Sequence, residues 1–176
     1  MNQLLRDGIN NLADEVRKTF EIESPISNIE DVVKMLGGTV VEDDEIENFA
    51  DAKIEKIGES FRITVAKSQS ETRKRFSIAH ELGHLFLHMG YCIDEELWNS
   101  NEDNKFFRNL SGEKEYQAHE FAAAFLMPKD EFKNEMAKNF DVKEYCYYMD
   151  EVAEYFNVSL EAAINRGRWL KIISWE

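Results

Sequence analysis

The sequence is poor in cysteine and contains no long apolar run. Cys92 and Cys146 are the only cysteines, and neither has another cysteine nearby with which to share a metal. We therefore expect two partly buried thiols, kept reduced in a cytoplasmic protein. No apolar stretch approaches the roughly 20 residues of a membrane span, and residues 1–8 lack the charge and apolar run of a secretion signal. These absences predict no membrane partner.

Basic residues are few compared with acidic ones. The sequence has 21 lysines and arginines but 35 acidic residues, so its net charge is −14. A surface of this sign repels the phosphates of nucleic acids and of anionic membranes. The last helical stretch offers only Arg166, Arg168 and Lys171 as cations, so we expect no direct binding to nucleic acid. At 176 residues the chain is long enough for one domain with a well-developed core.

Histidine is scarcer still, but three of the four histidines lie in one stretch, residues 72–90. We expect this stretch to be a helix with Thr72 as its N-cap and Gly90 as its C-cap. On an α-helix His80 and His84 are one turn apart on the same face, so both imidazoles can bind one tetrahedral cation. Glu81 is offset toward the open side of that cation, where a carboxylate can take a proton from water. Gly83 leaves room for another segment to pass close to the site. The spacing favours a zinc site with Glu81 as catalytic base over a buried helix whose histidines bond only to the backbone.

A second helix, residues 113–126, is predicted to carry the third ligand and to stop before Pro128. Glu115 lies in its first turn, and a site with two histidines can take a carboxylate as its third ligand from such a helix. His119 follows one turn later. It can hydrogen-bond a ligand, or it can itself be the third ligand while Glu115 orients it. A charged residue in a first helical turn is also favourable without any metal.

Three further residues on these helices are not assigned as metal ligands. His88 is two turns beyond His80 and does not fit the spacing of a third ligand, so we place it beside the site or in the core. Glu113 and Glu120 lie off the apolar stripe of their helix and are predicted to face solvent.

The remaining sequence has the periodicities of a mostly helical α+β fold. Apolar residues recur at helical spacing in residues 3–20, again after Pro25, and through most of residues 130–176. Two short helices in the last of these stretches, joined by a tight turn, resemble a helix-turn-helix, and Ser159 is predicted to cap the second. A small three-stranded sheet is predicted from the strand-like segments 39–41, 50–57 and 61–66.

The least regular stretch is residues 91–112, which we predict to be a loop. Its rings are Trp98, Phe106 and Phe107. These rings either anchor the loop or fold over a cleft and touch a substrate, and the sequence leaves both alternatives open.

Two stretches match a known family much more specifically than the metal motif alone. They are residues 75–88, with His80, Glu81 and His84 at their centre, and residues 115–128. Both resemble the ImmA/IrrE family of metallo-endopeptidases, and weaker similarity extends over nearly the whole chain. The resemblance implies a zincin-like fold, with a metallopeptidase domain and a C-terminal helical segment packed on it, at residues 1–136 and 137–176.

The same resemblance implies that Glu81 is the base and that the metal ligands are His80, His84 and Glu115. The family usually has asparagine where this chain has His119, and this difference leaves the third ligand, and the choice of zinc or manganese, open. A group that donates a hydrogen bond to the developing oxyanion is also expected. The candidates are His88, Tyr91 and Tyr116.

The function implied by the resemblance is zinc-dependent cleavage of a helix-turn-helix repressor, which relieves repression. The alternative is a metal-containing regulatory protein that binds its partner without cutting it. The two functions require the same ligands, but only cleavage requires Glu81 as a base.

Overall fold

The computed structural model describes residues 2–48, 50–101 and 112–175. These residues form a mostly helical α+β fold, as the periodicities predict. The helices are α1 (Gln3–Thr19), α2 (Ile29–Met35), α3 (Glu71–His88), α4 (Glu95–Ser100), α5 (Gly112–Leu126), α6 (Lys129–Lys138), α7 (Met149–Phe156) and α8 (Leu160–Trp169), with a short 3-10 helix at Glu45–Asn48. The strands are β1 (Thr39–Asp43), β2 (Ala52–Ile57), β3 (Ser60–Ala66), β4 (Phe140–Asp141) and β5 (Cys146–Tyr147).

The first three strands form the predicted small sheet in the order β1-β3-β2. β1 runs parallel to β3, while β2 and β3 form an antiparallel hairpin that turns at Gly58, whose φ is 59°. In that hairpin Ile54 lies opposite Ile63, and both side chains are buried in the core. β2 is therefore an edge strand of the sheet.

The buried helix α3 begins at a different cap from the predicted one. Ser70, not Thr72, is the N-cap, because its side chain accepts a hydrogen bond from the backbone N–H of Arg73. At the other end Gly90 has a φ of 79°, the left-handed conformation that commonly follows a helix. The helix consequently begins at the surface and ends in the core.

Gly83 is the point at which α5 crosses α3. A Cβ at this position would lie 2.9 Å from the Cα of Ala118 and 3.0 Å from its carbonyl oxygen. The prediction that Gly83 makes room for another segment is confirmed. This close approach fixes which residues of α5 can face the histidines of α3.

The C-terminal helices share the same hydrophobic core as the rest of the chain. The rings of Phe132 and Phe156 stack with centroids 5.8 Å apart, and Ala163 of α8 is fully buried. The predicted cap at Ser159 is confirmed by a hydrogen bond from the backbone N–H of Ala162. The short β4-β5 hairpin was not predicted. The domain boundary at residue 136 and the helix-turn-helix character stay predictions.

Two predictions are corrected, the burial of the cysteines and the loop at residues 91–112, part of which forms α4. Cys92 and Cys146 are free but exposed, not partly buried. Trp98 lies on α4 and is buried, with the Lys56 ammonium 4.8 Å from its ring, so this ring anchors its segment. Phe106 and Phe107 lie outside the described residues. Over the parts of the chain that the structure covers, no helix is both long and apolar enough to cross a membrane.

Candidate metal centre

Helices α3 and α5 bring His80, His84 and Glu115 together. His80 Nε2 is 3.0 Å from His84 Nε2 and 3.1 Å from Glu115 Oε2, and His84 Nε2 is 3.5 Å from Glu115 Oε1. The packing of Ala118 on Gly83 explains this meeting, because His80 and Glu115 each lie three residues earlier on their helices. Among the described residues, this is the group of possible metal ligands that converges, and it does not include His119.

These separations suit a small tetrahedral cation. Zinc binds nitrogen at about 2.0–2.1 Å, so two ligands of a tetrahedral zinc lie about 3.3 Å apart. The three measured separations, 3.0, 3.1 and 3.5 Å, bracket that value. Two imidazoles and one carboxylate are also a donor set that zinc sites commonly use. The residues present therefore fit the metal that the sequence predicted.

The protonation states of His84 and Glu115 also suit a cation. Burial, together with the neighbouring His80, lowers the pKa of His84 to about 3, so its ring is neutral at physiological pH. The hydrogen bond from His80 lowers the pKa of the half-buried Glu115, which is therefore ionised. Metal ligands must be deprotonated to bind, and the surroundings of His84 and Glu115 already favour that state.

Glu81 lies beside the three donors and is only 7% exposed. Burial raises the pKa of its carboxyl to about 7, with His80 lowering the pKa and the charge of Glu115 adding to the rise within that net value. A carboxyl group with a pKa near the ambient pH can both accept and release a proton. This is the property required of a general acid and base.

The stabilisation that the buried proton of Glu81 gives the metal-free protein should be lost as pH rises. The folded state holds this proton up to about pH 7, whereas the unfolded chain loses it near 4.5, so the stabilisation is present below about 4.5 and lost as pH rises to about 7. At about 1.4 kcal/mol per pKa unit, the loss is about 3 kcal/mol. His84 and His119, whose pKa values burial lowers to about 3 and about 4, act in the opposite direction in both proteins, so the loss is measured as a difference. In denaturant titrations with a chelator, the free energy of unfolding of the wild type relative to that of Glu81→Gln should fall by about 3 kcal/mol between about pH 4.5 and 8. Parallel pH profiles for the two proteins would contradict it.

His88 lies behind His84, away from the cavity. Its Nδ1 is 2.9 Å from His84 Nδ1, and its Nε2 is 3.0 Å from Gln117 Oε1. The interpretation of His88 as a residue beside the site agrees with this position. Gln117 was missed by sequence reasoning, because which residues of α5 face His88 depends on how the two helices cross.

His119 lies on the cavity wall next to His80. The two imidazole rings meet edge to face with centroids 4.5 Å apart. The ring of Phe76 lies 5.7 Å from His119 on another side. His119 therefore contacts a member of the converging group without belonging to it.

A cavity of about 520 Å³ opens over the converging group. Its wall includes Ala52 and Lys53 of the edge strand β2 and the guanidinium-bearing Arg73 of α3. A second cavity of about 530 Å³ shares Phe76 and His119 with the first, so these two side chains lie between neighbouring cavities. The site is thus a cleft bordered by a strand, with a second cavity beside it.

The three predicted oxyanion donors do not line the first cavity. His88 is engaged behind His84, and the Tyr91 hydroxyl donates to the Leu36 carbonyl oxygen across 2.7 Å. Tyr116 is 68% exposed and lines the second cavity instead. Arg73 and Lys53, which the sequence did not single out, are the cations in the wall of the first cavity, and Arg73 pairs with Asp51.

The family model of the IrrE N-terminal-like domain, peptidase M78, matches residues 43–167. This match covers more than half of the sequence and includes α3 and α5, so the chain belongs to that family. Members of the family are typically metal-dependent, in agreement with the two histidines and the glutamate that converge here. The resemblance seen in the sequence is confirmed.

A solved structure supports the fold. The chain is similar to a Mycobacterium tuberculosis transcriptional regulator with a TM-score of 0.58 and 18% sequence identity. The similarity covers 93% of this chain but 50% of the other, so this chain spans half of that regulator's length. Among curated proteins, no significant match to the sequence is found.

Proposed function

We propose that the chain is a cytoplasmic zinc-dependent endopeptidase in which His80, His84 and Glu115 hold the metal and Glu81 is the base. The observation that carries this proposal is the convergence of three donor groups within 4.8 Å, next to a buried carboxyl group with a pKa of about 7. When bound, zinc supplies a Lewis acid that activates water and polarises a peptide carbonyl. Glu115, and not His119, is the third ligand in this proposal, because only Glu115 reaches the other two donors.

The role proposed for Glu81 is proton transfer. It takes a proton from the attacking water and passes it to the leaving amine, which otherwise departs as a poor leaving group. Its burial keeps the carboxyl group poised near neutrality, since bulk water would return the pKa to its ordinary value of 4.5. His119 packs on the ring of His80 and limits its movement.

An extended peptide is the substrate that this cleft suits. β2 is an edge strand, and among the described strands none pairs with its outer side. A peptide can add to such an edge through main-chain hydrogen bonds, largely independent of its sequence. Because Ala52 and Lys53 of β2 line the cavity, a peptide bound there would pass over the histidines.

The proposed partner is a helix-turn-helix repressor and not DNA. Support comes from the family and from the similar solved structure, which is described as a transcriptional regulator. Direct DNA binding is disfavoured by the charge of −14 and by Arg166, which is 2% exposed and pairs with Glu120. Two cations, Arg168 and Lys171, then remain in this stretch to meet phosphates.

Metal analysis of single variants tests the proposed ligands. The purified protein should bind about one zinc per chain, while His84→Ala and Glu115→Ala should lose it. Glu113→Ala, an exposed residue of the same helix, is the matched control and should retain full zinc. Full zinc in His84→Ala would place the site elsewhere. Retention in Glu115→Ala with loss in His119→Ala would make His119 the third ligand. Repeating the titration with manganese decides which cation binds more tightly.

The enzymatic proposal is tested by incubation with a candidate helix-turn-helix repressor, sought among the products of the neighbouring genes. Mass spectrometry should detect two fragments whose formation requires zinc and stops with a chelator. Binding of the repressor without fragments would contradict the peptidase and support the metal-containing regulator.

The proposed absence of DNA binding is tested by a salt-dependent titration of the protein with DNA from upstream of its gene. Tight, sequence-dependent binding by the chain alone would contradict the proposed absence of DNA binding.

A further inference from the structure

The side chains of Gln117, His88 and His84 form a hydrogen-bond series that runs from α5 to the metal-facing side of His84. Gln117 Oε1 is 3.0 Å from His88 Nε2, and His88 Nδ1 is 2.9 Å from His84 Nδ1. The other nitrogen of His84, Nε2, points to His80 and Glu115. His84 and His88 are 3% and 8% exposed, so bulk water does not readily replace these partners.

The positions of the protons in this hydrogen-bond series determine the tautomer of His84. The amide oxygen of Gln117 can only accept, so His88 Nε2 must carry the proton. A neutral His88 then has a lone pair on Nδ1, and this lone pair accepts from Nδ1 of His84. His84 therefore has its proton on Nδ1 and a lone pair on Nε2, the atom that faces the other two donors.

The opposite polarity would prevent metal binding at this atom. If the side-chain amide of Gln117 were turned so that it donated to His88, the ring protons of His88 and His84 would each move to the other nitrogen of their ring. His84 would accept at Nδ1 and carry its proton on Nε2, which could then bind no cation without losing that proton. Burial also lowers the pKa of His88, in keeping with the neutral ring that the first polarity requires.

We propose that Gln117 and His88 are positioning residues that fix the tautomer and ring orientation of His84 for metal binding. Gln117 acts through His88, and neither residue touches the cation. The inference uses the proposed metal ligands, but the tautomer itself is a property of the metal-free protein. The proposed metal ligands and the proposed positioning role can therefore be contradicted by different results.

Nuclear magnetic resonance of the metal-free protein measures the tautomer directly. Long-range ¹H–¹⁵N spectra should assign the proton of His84 to Nδ1 and that of His88 to Nε2. In Gln117→Leu, which removes the acceptor, His84 should become a mixture of tautomers. A wild-type His84 protonated on Nε2 would overturn the proposal. So would an unchanged spectrum of His84 in Gln117→Leu.

Zinc affinity, measured by competition with a chelator, gives the second test. Loss of such an orienting partner commonly weakens metal binding about 10- to 100-fold, and we expect this for Gln117→Leu. Gln117→Glu keeps an acceptor at the same position and should retain wild-type affinity or exceed it. Equal weakening in both variants would show a merely structural role and overturn the proposal. If the wild type bound no zinc while His84 kept its Nδ1 proton, the proposed function would fail and the positioning would stand.

Discussion

Glu81→Gln is expected to keep its zinc and to cleave the repressor about 10²- to 10⁴-fold more slowly than the wild type. The amide has nearly the shape of the carboxylate but cannot accept the proton from water. Glu81 is not one of the converging donors, so metal content should not change. Initial rates of fragment formation and metal analysis of the same preparation measure both quantities.

Glu71→Gln is the matched control for this variant. It makes the same chemical change in the first turn of the same helix, where the side chain is 85% exposed. Its cleavage rate and zinc content should equal those of the wild type. If Glu81→Gln cleaved as fast as this control, Glu81 would not be the base, and the mechanism proposed above would be wrong.

The part of the site that could be predicted from the sequence follows from spacing within single helices. His80 and His84 share a face because they are four residues apart, and this holds wherever the helix lies. Gly83 signalled a close helix crossing, since a glycine inside a buried helix needs a reason to be there. Glu115 was predicted as a ligand by resemblance, and the crossing at Gly83 brings it to the histidines.

What the sequence did not predict depends on contacts between distant segments. Gln117 meets His88 only because α5 crosses α3 at one particular angle. Tyr91 was a candidate donor to the oxyanion, but in the fold its hydroxyl donates to the carbonyl oxygen of Leu36. A helical wheel of α5 gives each residue a direction relative to its own axis, but it does not identify the helices that surround it.

The prediction that Glu120 faces solvent is wrong, because its side chain is only 6% exposed. Helices α1 and α8 cover that side of α5. Its Oε2 accepts from Arg6 Nε across 3.0 Å, and its Oε1 accepts from Asn10 across 2.6 Å and from Arg166 Nη1 across 3.3 Å. One carboxylate therefore joins three helices through charge-assisted hydrogen bonds.

Replacing Glu120 by leucine should destabilise the fold by about 3–5 kcal/mol, because a buried charge would lose its partner. Arg166 is 2% exposed, and burial already lowers its pKa to about 10, so it cannot easily recover solvation. Denaturant unfolding with a chelator measures this loss without any contribution from bound metal. Glu113→Leu, at an exposed position of the same helix, is the control and should change the free energy of unfolding by less than about 0.5 kcal/mol.

The double variant Glu120→Leu/Arg166→Met separates an unpaired charge from a poorly packed leucine. Removing both charges takes away the cost of burying Arg166 without its partner, so the double variant should be more stable than Glu120→Leu alone. Arg6, whose guanidinium lies 3.7 Å from the centre of the Trp169 ring, keeps that contact in both variants. If the double variant were no more stable than the single one, the loss would come from packing. The ion pair would then contribute little to holding α1 and α8 against the helix that carries Glu115.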